Sequence, residues 1–313
     1  MANRIALIGV GRVGSQILTD IQYTGLFQEI YLIDSDEKQA EGEVLDHLHF
    51  QSLNGSHQTR IYNGTYEDLK KVDAIVISAS VPSDASMKDR AKLASLNADL
   101  VNDIMNKITA VTTEPIIIMI SNPIDSMLYL AQTQTNYPLH KIFGTGTMLE
   151  SSRFRVLIAS HYNVDPKNVE AFVIGEHGKT TVPVWSRVRI FGMPLGEFEA
   201  LTDATPISKQ EIRDSIDEVA FNVMANKGWT NSAISRVAVD LLEAIMYNEN
   251  RILPVTSVHQ SIYDYQNVAF SLPTFVNRDG YHHPLEIQLD SDEKAALDKS
   301  VQYIKETIES TQK

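Results

Sequence analysis

Gly9-Val10-Gly11-Arg12-Val13-Gly14-Ser15 follows directly on the apolar run Ile5-Ala6-Leu7-Ile8, and Asp34 closes a second apolar run, Ile30-Tyr31-Leu32-Ile33. A strand, a glycine turn, a helix and an acidic strand end in this order form the arrangement a dinucleotide site needs. Gly9 permits the tight turn. Gly11 removes the side chain that would block a pyrophosphate, and Gly14 lets the helix lie against the strand. The helix N-terminus then offers unpaired N–H groups to the diphosphate. The Asp34 carboxylate suits a ribose 2′-hydroxyl and would repel a 2′-phosphate, which favours NAD over NADP. A glycine fingerprint alone also fits an ordinary packed strand–helix turn. The placement of Asp34 weighs against that reading.

The pattern continues along the chain. A helix is expected from about Val13 to Tyr23. Another is expected from Glu37 to Gln51, with Val44, Leu45 and Leu48 on one face. Asp73–Ser78 and Pro115–Ile120 are further buried strands. Continuous apolar strands alternating with helices predict a doubly wound parallel sheet covered on both faces, an α/β fold of the Rossmann type. Ser78–Asp89 is a polar loop at the carboxyl edge of that sheet, followed by a helix to about Lys107. The character changes near Phe143, which divides the chain into a dinucleotide-binding part, 1–143, and an α+β substrate-binding part, 144–313. In the second part Glu150–His161, Lys209–Asn226, Thr230–Tyr247 and Ser291–Thr311 are expected helices. Val169–Ile174, Ile252–His259 and Val268–Val276 are expected strands, Val182–Phe191 is expected to be extended, and Gly192–Gly196 to turn.

Composition sets bounds on function. The 313 residues are enough for two lobes with substantial cores, and 43% hydrophobic with 21% charged residues is ordinary for a globular chain. There is no cysteine, which excludes disulfides, thiolate chemistry and cysteine-held metals. A net charge of −13 argues against a general nucleic-acid surface. It also means that an anionic substrate must find a locally positive pocket. No membrane span and no targeting segment is evident, so a cytoplasmic location is the expectation.

His177 lies between glycines in Gly175-Glu176-His177-Gly178, after an apolar strand. A neutral imidazole there can accept a hydroxyl proton and return it in reduction; taken alone, a histidine in an ordinary turn is the stronger reading. Three more segments accompany it: Ser121-Asn122-Pro123 after a buried strand, Glu150 followed by Ser151-Ser152-Arg153-Phe154-Arg155, and Arg90 beyond the polar loop. Together and in this order they resemble the lactate and malate dehydrogenase family over essentially the whole chain.

The resemblance implies roles. His177 matches the proton donor and acceptor. Arg153 matches the arginine that grips the substrate carboxylate, a task suited to its planar fork. Arg90 matches the loop arginine that polarises the ketone as charge develops on oxygen. Asn122 matches the residue where cofactor and substrate meet, and Thr230 a pocket residue beside the substrate. On the cofactor side the family pattern adds Val13, Tyr66, Ser78, Ala79 and Asn97 to Gly9, Gly11, Gly14, Asp34 and Asn122. For Tyr66, contact with the adenine end and simple packing stand side by side. NAD performs the redox step, so the reading calls for no metal.

Glu150 departs from the family, whose aspartate holds the catalytic histidine. Glutamate keeps the carboxylate and adds a methylene. If it fits, it stabilises the imidazolium; if not, it misplaces His177. Malate enzymes place an arginine in the loop for a second carboxylate. Here the nearest positions are Ser83 and Asp84, with Lys88 as an exception near Arg90, and the expectation is a monocarboxylate. Ser232 stands where many lactate enzymes have tryptophan, so a branched or longer 2-oxo acid is also admitted. Gly144-Thr145-Gly146-Thr147 resembles the L-2-hydroxyisocaproate branch. Lactate and a larger L-2-hydroxy acid remain open, as does malate. A non-catalytic NAD-binding sensor is the alternative from another class. Members of the family form dimers or tetramers, and the resemblance implies a homo-oligomer here, with a tetramer as the expectation. Arg155 matches the arginine that binds fructose 1,6-bisphosphate in many bacterial lactate enzymes, but Glu170 replaces its histidine partner. Activation by that ligand is therefore not expected.

Overall fold

A computed structural model of the chain describes residues 3–81 and 90–311, with only the backbone of Arg90, Ala91, Lys92 and Asp217. The first half runs β1 (Arg4–Ile8), α1 (Arg12–Gln22), β2 (Glu29–Ile33), α2 (Glu37–Phe50) and β3 (Arg60–Asn63). It continues with β4 (Ala74–Ile77), α3 (Arg90–Thr109), β5 (Ile116–Met119), α4 (Ile124–Thr133) and β6 (Ile142–Gly144). These strands pair in parallel in the order β3-β2-β1-β4-β5-β6. The order reverses between β1 and β4, and ligands bind outside the carboxyl ends of such strands.

Alternate residues of each strand feed opposite faces. Ile5, Leu7, Leu32, Val76 and Ile118 join one core with Ile17, Leu18 and Ile21 of α1. Ala6, Ile8, Ile75, Ile77 and Met119 join the other with Val101, Met105 and Ile108 of α3. Both faces are covered, which is why the strands read as unbroken apolar runs.

The second half runs α5 (Met148–Tyr162), β7 (Val169–Glu170), β8 (Val173–Gly175), β9 (Thr181–Pro183), β10 (Arg189–Ile190) and β11 (Met193–Pro194). There follow α6 (Leu195–Thr202), α7 (Lys209–Lys227), α8 (Ser232–Met246), β12 (Arg251–Ile262), β13 (Tyr265–Asn277), β14 (Gly280–Pro284) and α9 (Ser291–Thr311). The long β12–β13 hairpin joins the edge of the parallel sheet through Thr256 opposite Gly144. Strands β8, β9 and β14 extend it to 11 strands, while β7, β10 and β11 form a separate three-stranded sheet. Helix α8 lies along α1, its Val237, Ala238 and Leu241 sharing the first core. The second half is thus anchored on the helix that follows the glycine turn.

Several details differ from the sequence reading. Strand β3 and helix α4 were not anticipated. β3 is short and mostly exposed, and α4 is buried on nearly all sides, so neither shows a clean period. Only Val44 of the α2 trio packs on the core, while Leu45 and Leu48 are exposed. Val169–Ile174 divides into β7 and β8, which belong to different sheets. Val182–Phe191 is broken by a 3₁₀ turn at Trp185–Arg187. Met193–Pro194 pairs as a strand and α6 starts at Leu195, where only a turn was expected. Helix α8 begins at Ser232, two residues after Thr230.

Candidate active site

The glycine turn is built from tight contacts. Gly9 has φ +89°, and its N–H donates to the Ile33 carbonyl at 2.8 Å. A Cβ on Gly14 would lie 2.1 Å from the Gly9 carbonyl oxygen, so helix α1 can approach the turn only without a side chain there. A Cβ on Gly11 would meet nothing within 4 Å among the described residues. Its bare face opens into a space beside the first turn of α1. Asp34 accepts from the Val10 N–H at 2.7 Å, tying the acidic strand end to the turn. Ser78 donates to the Gly9 carbonyl at 2.8 Å, closing the turn from β4. The bare cradle, the helix N-terminus and Asp34 together fit an NAD diphosphate and ribose.

Asn97 is buried and organises the next segment. Its side chain accepts from the Val81 N–H at 2.8 Å and donates to the Asn122 carbonyl at 2.9 Å. The Ala79 carbonyl accepts from the Ser121 hydroxyl at 2.6 Å. Asn122 uses its side-chain oxygen on the Ile124 N–H, at 3.3 Å, at the start of α4. Its amide N–H groups are the donors a substrate oxygen would require. Val13 packs against the core at the first turn of α1. Tyr66 packs its ring on the second core, 5.6 Å from the Lys107 ammonium, and burial pushes its phenol up to about 12. The observed contacts of Tyr66 are thus those of packing. Ser83, Asp84 and Lys88 lie outside the described residues. Arg90 opens helix α3, and its side chain also lies outside them.

The residues expected to handle the proton, Glu150, Arg153 and His177, all lie in the second half. Helix α5 buries Glu150 in its first turn. One Glu150 oxygen lies 3.0 Å from Nδ1 of His177, and the other accepts from Arg153 at 3.2 Å. The extra methylene of glutamate thus fits, and its carboxylate serves both partners. Burial would raise the Glu150 pKa, but His177 and Arg153 outweigh it and hold the group ionised below its usual range. Burial likewise lowers the His177 pKa. The charge and hydrogen bond of Glu150, with Asp125 and Glu176 behind it, push it instead up to about 9.

Asp125 was not singled out in the sequence. It accepts from the His177 backbone N–H at 2.8 Å and from the Thr256 hydroxyl at 2.7 Å, and so fixes the turn that carries the imidazole. Burial pushes its carboxyl up to about 7, against the pull of those bonds. The available signal was a lone carboxylate opening the otherwise uncharged Ile124–Thr133. Glu176, beside His177, is held by the Thr180 N–H and hydroxyl at 2.7 and 2.8 Å.

A cavity of about 390 Å³ opens next to this group. Arg153, Thr230 and Ser232 line it together with Leu149, Leu157, Val219 and Val223. It therefore brings together two of the expected substrate contacts, Arg153 and Thr230, against an apolar wall, while Asn122 is not part of its lining. His177 is not part of that lining and is joined to it through Glu150 and Arg153. Arg155 points elsewhere, donating to the Ala171 carbonyl at 3.2 Å, and Glu170 is exposed on β7.

A family model for the NAD-binding domain of lactate/malate dehydrogenases matches residues 3–144, and one for their alpha/beta C-terminal domain matches residues 147–313. The chain belongs to the lactate/malate dehydrogenase family. It is an NAD-dependent oxidoreductase of 2-hydroxy and 2-oxo acids, similar to L-lactate dehydrogenases. An L-lactate dehydrogenase of Selenomonas ruminantium is 36% identical over 309 residues, covering 98% of this chain and 97% of that protein. L-lactate dehydrogenase 2 of Clostridium acetobutylicum is also 36% identical over 309 residues, with 98% and 96% covered. Among solved structures, a minor L-lactate dehydrogenase of Enterococcus mundtii superposes with TM-score 0.92 at 27% identity, covering 98% of each chain. A malate dehydrogenase of Cryptosporidium parvum does so with TM-score 0.90 at 27% identity, covering 100% of this chain and 99% of that one. The backbone alone therefore does not separate a monocarboxylate from a dicarboxylate substrate.

Proposed function

We propose that the chain interconverts an L-2-hydroxy monocarboxylic acid and its 2-oxo acid, lactate and pyruvate or a larger branched pair, with residues 1–143 holding NAD and 144–313 the acid. The observation that carries this reading is one buried carboxylate, Glu150, holding both a histidine at 3.0 Å and an arginine at 3.2 Å. In reduction, Arg153 turns its planar fork to the substrate carboxylate. His177, protonated at neutral pH, gives a proton from Nε2 to the carbonyl oxygen while Glu150 stabilises the ring at Nδ1. In oxidation the same nitrogen takes the hydroxyl proton. Bound NAD supplies the donor or acceptor for the hydride at C2. Asn122 and Arg90 are assigned to the substrate oxygen, and Thr230 and Ser83 to the substrate's other walls. Gly9, Gly11, Val13, Gly14, Asp34, Ser78, Ala79 and Asn97 are assigned to the cofactor, and Tyr66 to packing beside it.

Asp84 in the loop disfavours a second carboxylate. The apolar cavity and Ser232 favour room for a side chain larger than methyl, as in an L-2-hydroxyisocaproate-type enzyme. The rest of the proposal is a cytoplasmic homo-oligomer, a tetramer, that does not respond to fructose 1,6-bisphosphate. Exposed Leu45, Leu48, Phe221 and Met224 suit subunit contacts, and Glu170 would repel a bisphosphate near Arg155. The test is NADH oxidation driven by pyruvate and by 4-methyl-2-oxopentanoate. His177→Asn should abolish it, and Arg153→Leu should raise KM for the acid far more than it affects cofactor binding. No turnover with any 2-oxo acid would overturn the reading.

A further inference from the structure

Arg12, Gln16 and Asp20 lie four residues apart and form one stripe along α1. Each meets a residue of the segment that leads into and through the start of α8. The Arg12 guanidinium carbon lies 3.9 Å from the ring centre of Trp229. Gln16 accepts from the Asn231 amide at 3.2 Å, and Asp20 accepts from the Ser235 hydroxyl. Lys227 approaches the same indole, 6.0 Å from its centre, and donates to Asn231. Thr230 stands between Trp229 and Asn231. Its hydroxyl meets the Met224 sulfur at 3.9 Å. Both residues flanking it are held by α1, so its position is set by α1.

Arg12 is the first residue of α1. It therefore stands in the turn where the diphosphate of NAD is drawn by the unpaired N–H groups and the positive helix end. A guanidinium can present its face to an indole and its edge N–H groups to a phosphate at the same time. We propose that Trp229 is a positioning residue through which the diphosphate, by way of Arg12, fixes Thr230 and hence one wall of the acid pocket. The inference rests on the acid pocket proposed above. Diphosphate occupancy raises affinity for the acid, and by linkage the acid raises affinity for the diphosphate.

The chain has two tryptophans, and Trp185 lies outside this machinery. In a Trp185→Phe background, Trp229 is the sole indole. The probe is ADP-ribose, which carries the diphosphate without the nicotinamide, used at concentrations that displace NADH. The indole emission should shift on its addition, and Arg12→Ala should remove the shift while ADP-ribose still displaces NADH. At saturating NADH, Arg12→Ala and Trp229→Leu should each raise KM for the 2-oxo acid about fivefold or more, and raise it more than they lower kcat. The double variant should be no worse than either single one. Trp229→Phe, which keeps a ring face, should restore most of the loss. Emission unmoved by bound ADP-ribose, or KM effects that multiply in the double variant, would overturn the proposal. If no 2-oxo acid is turned over at all, the functional reading fails, and the emission measurement alone decides the role of Trp229.

Discussion

Glu150 is the residue on which the proposed chemistry depends most. Its carboxylate is buried and shared between His177 and Arg153. Glu150→Gln removes the charge with little change in shape. It should lower kcat by about 100-fold, within the usual range for general acid–base catalysis. A rate within about twofold of the original would end the partnership. The raised His177 pKa also fixes the pH dependence. With a folded-state value of about 9, above the ordinary 6.5, His177 is protonated at neutral pH. Reduction of the 2-oxo acid should therefore hold level and fall as pH rises through about 9, while oxidation gains over the same interval. The sign for stability is the same: the contribution is full below about 6.5 and is lost as pH rises through about 9. A reduction profile that already falls near pH 6 would show that Glu150 does not control the imidazole. Asp125 acts one step back. Asp125→Asn sets an amide N–H against one of two donors, His177 N–H or the Thr256 hydroxyl. It should cost about 1–3 kcal/mol, seen as a lower Tm together with a lower kcat.

At the scale of elements, the turn into α1 separates two uses of glycine. Gly14→Ala places a methyl 2.1 Å from the Gly9 carbonyl oxygen, so α1 must shift and stability should fall by about 1–3 kcal/mol or more. Gly11→Ala meets open space among the described residues and an ordinary φ of −70°. It should leave Tm nearly unchanged and weaken NADH binding, because the added methyl projects into the diphosphate's space. Equal losses of stability in both variants would contradict this division. The glycine turn was legible because its constraints are local: a positive φ at Gly9, a close approach at Gly14. So were β1, β2, β4 and β5, whose apolar runs report a sheet buried on both faces. The β12–β13 hairpin was legible only as two shorter strands. Its reversal is made by Tyr263 and Asp264, both at positive φ, where Asn-Gly would have signalled a turn. Asp125 and the Arg12–Trp229 pair were missed because their meaning lies in contacts between distant segments, which no spacing in the chain encodes.

At the scale of the whole molecule, one sheet runs through both halves, and α8 lies along α1. The proton-handling pair and the cofactor turn are thus carried on a continuous framework. The surface leaves apolar groups in the open on α2 and α7, with Leu45 53% and Phe221 71% exposed. Sedimentation should find an assembly rather than a monomer, and charged replacements at Leu45 and Leu48 should weaken it. A monomer at micromolar concentration would refute the proposed oligomer. Two described cations, Arg153 and Lys227, line the cavity, and Lys227 donates to Asn231. The most direct test is a panel of NADH oxidation rates with pyruvate, 4-methyl-2-oxopentanoate and oxaloacetate, each with and without fructose 1,6-bisphosphate. Higher kcat/KM for either monocarboxylate than for oxaloacetate, unchanged by the bisphosphate, is the predicted result. Preference for oxaloacetate would contradict the account and identify a malate enzyme.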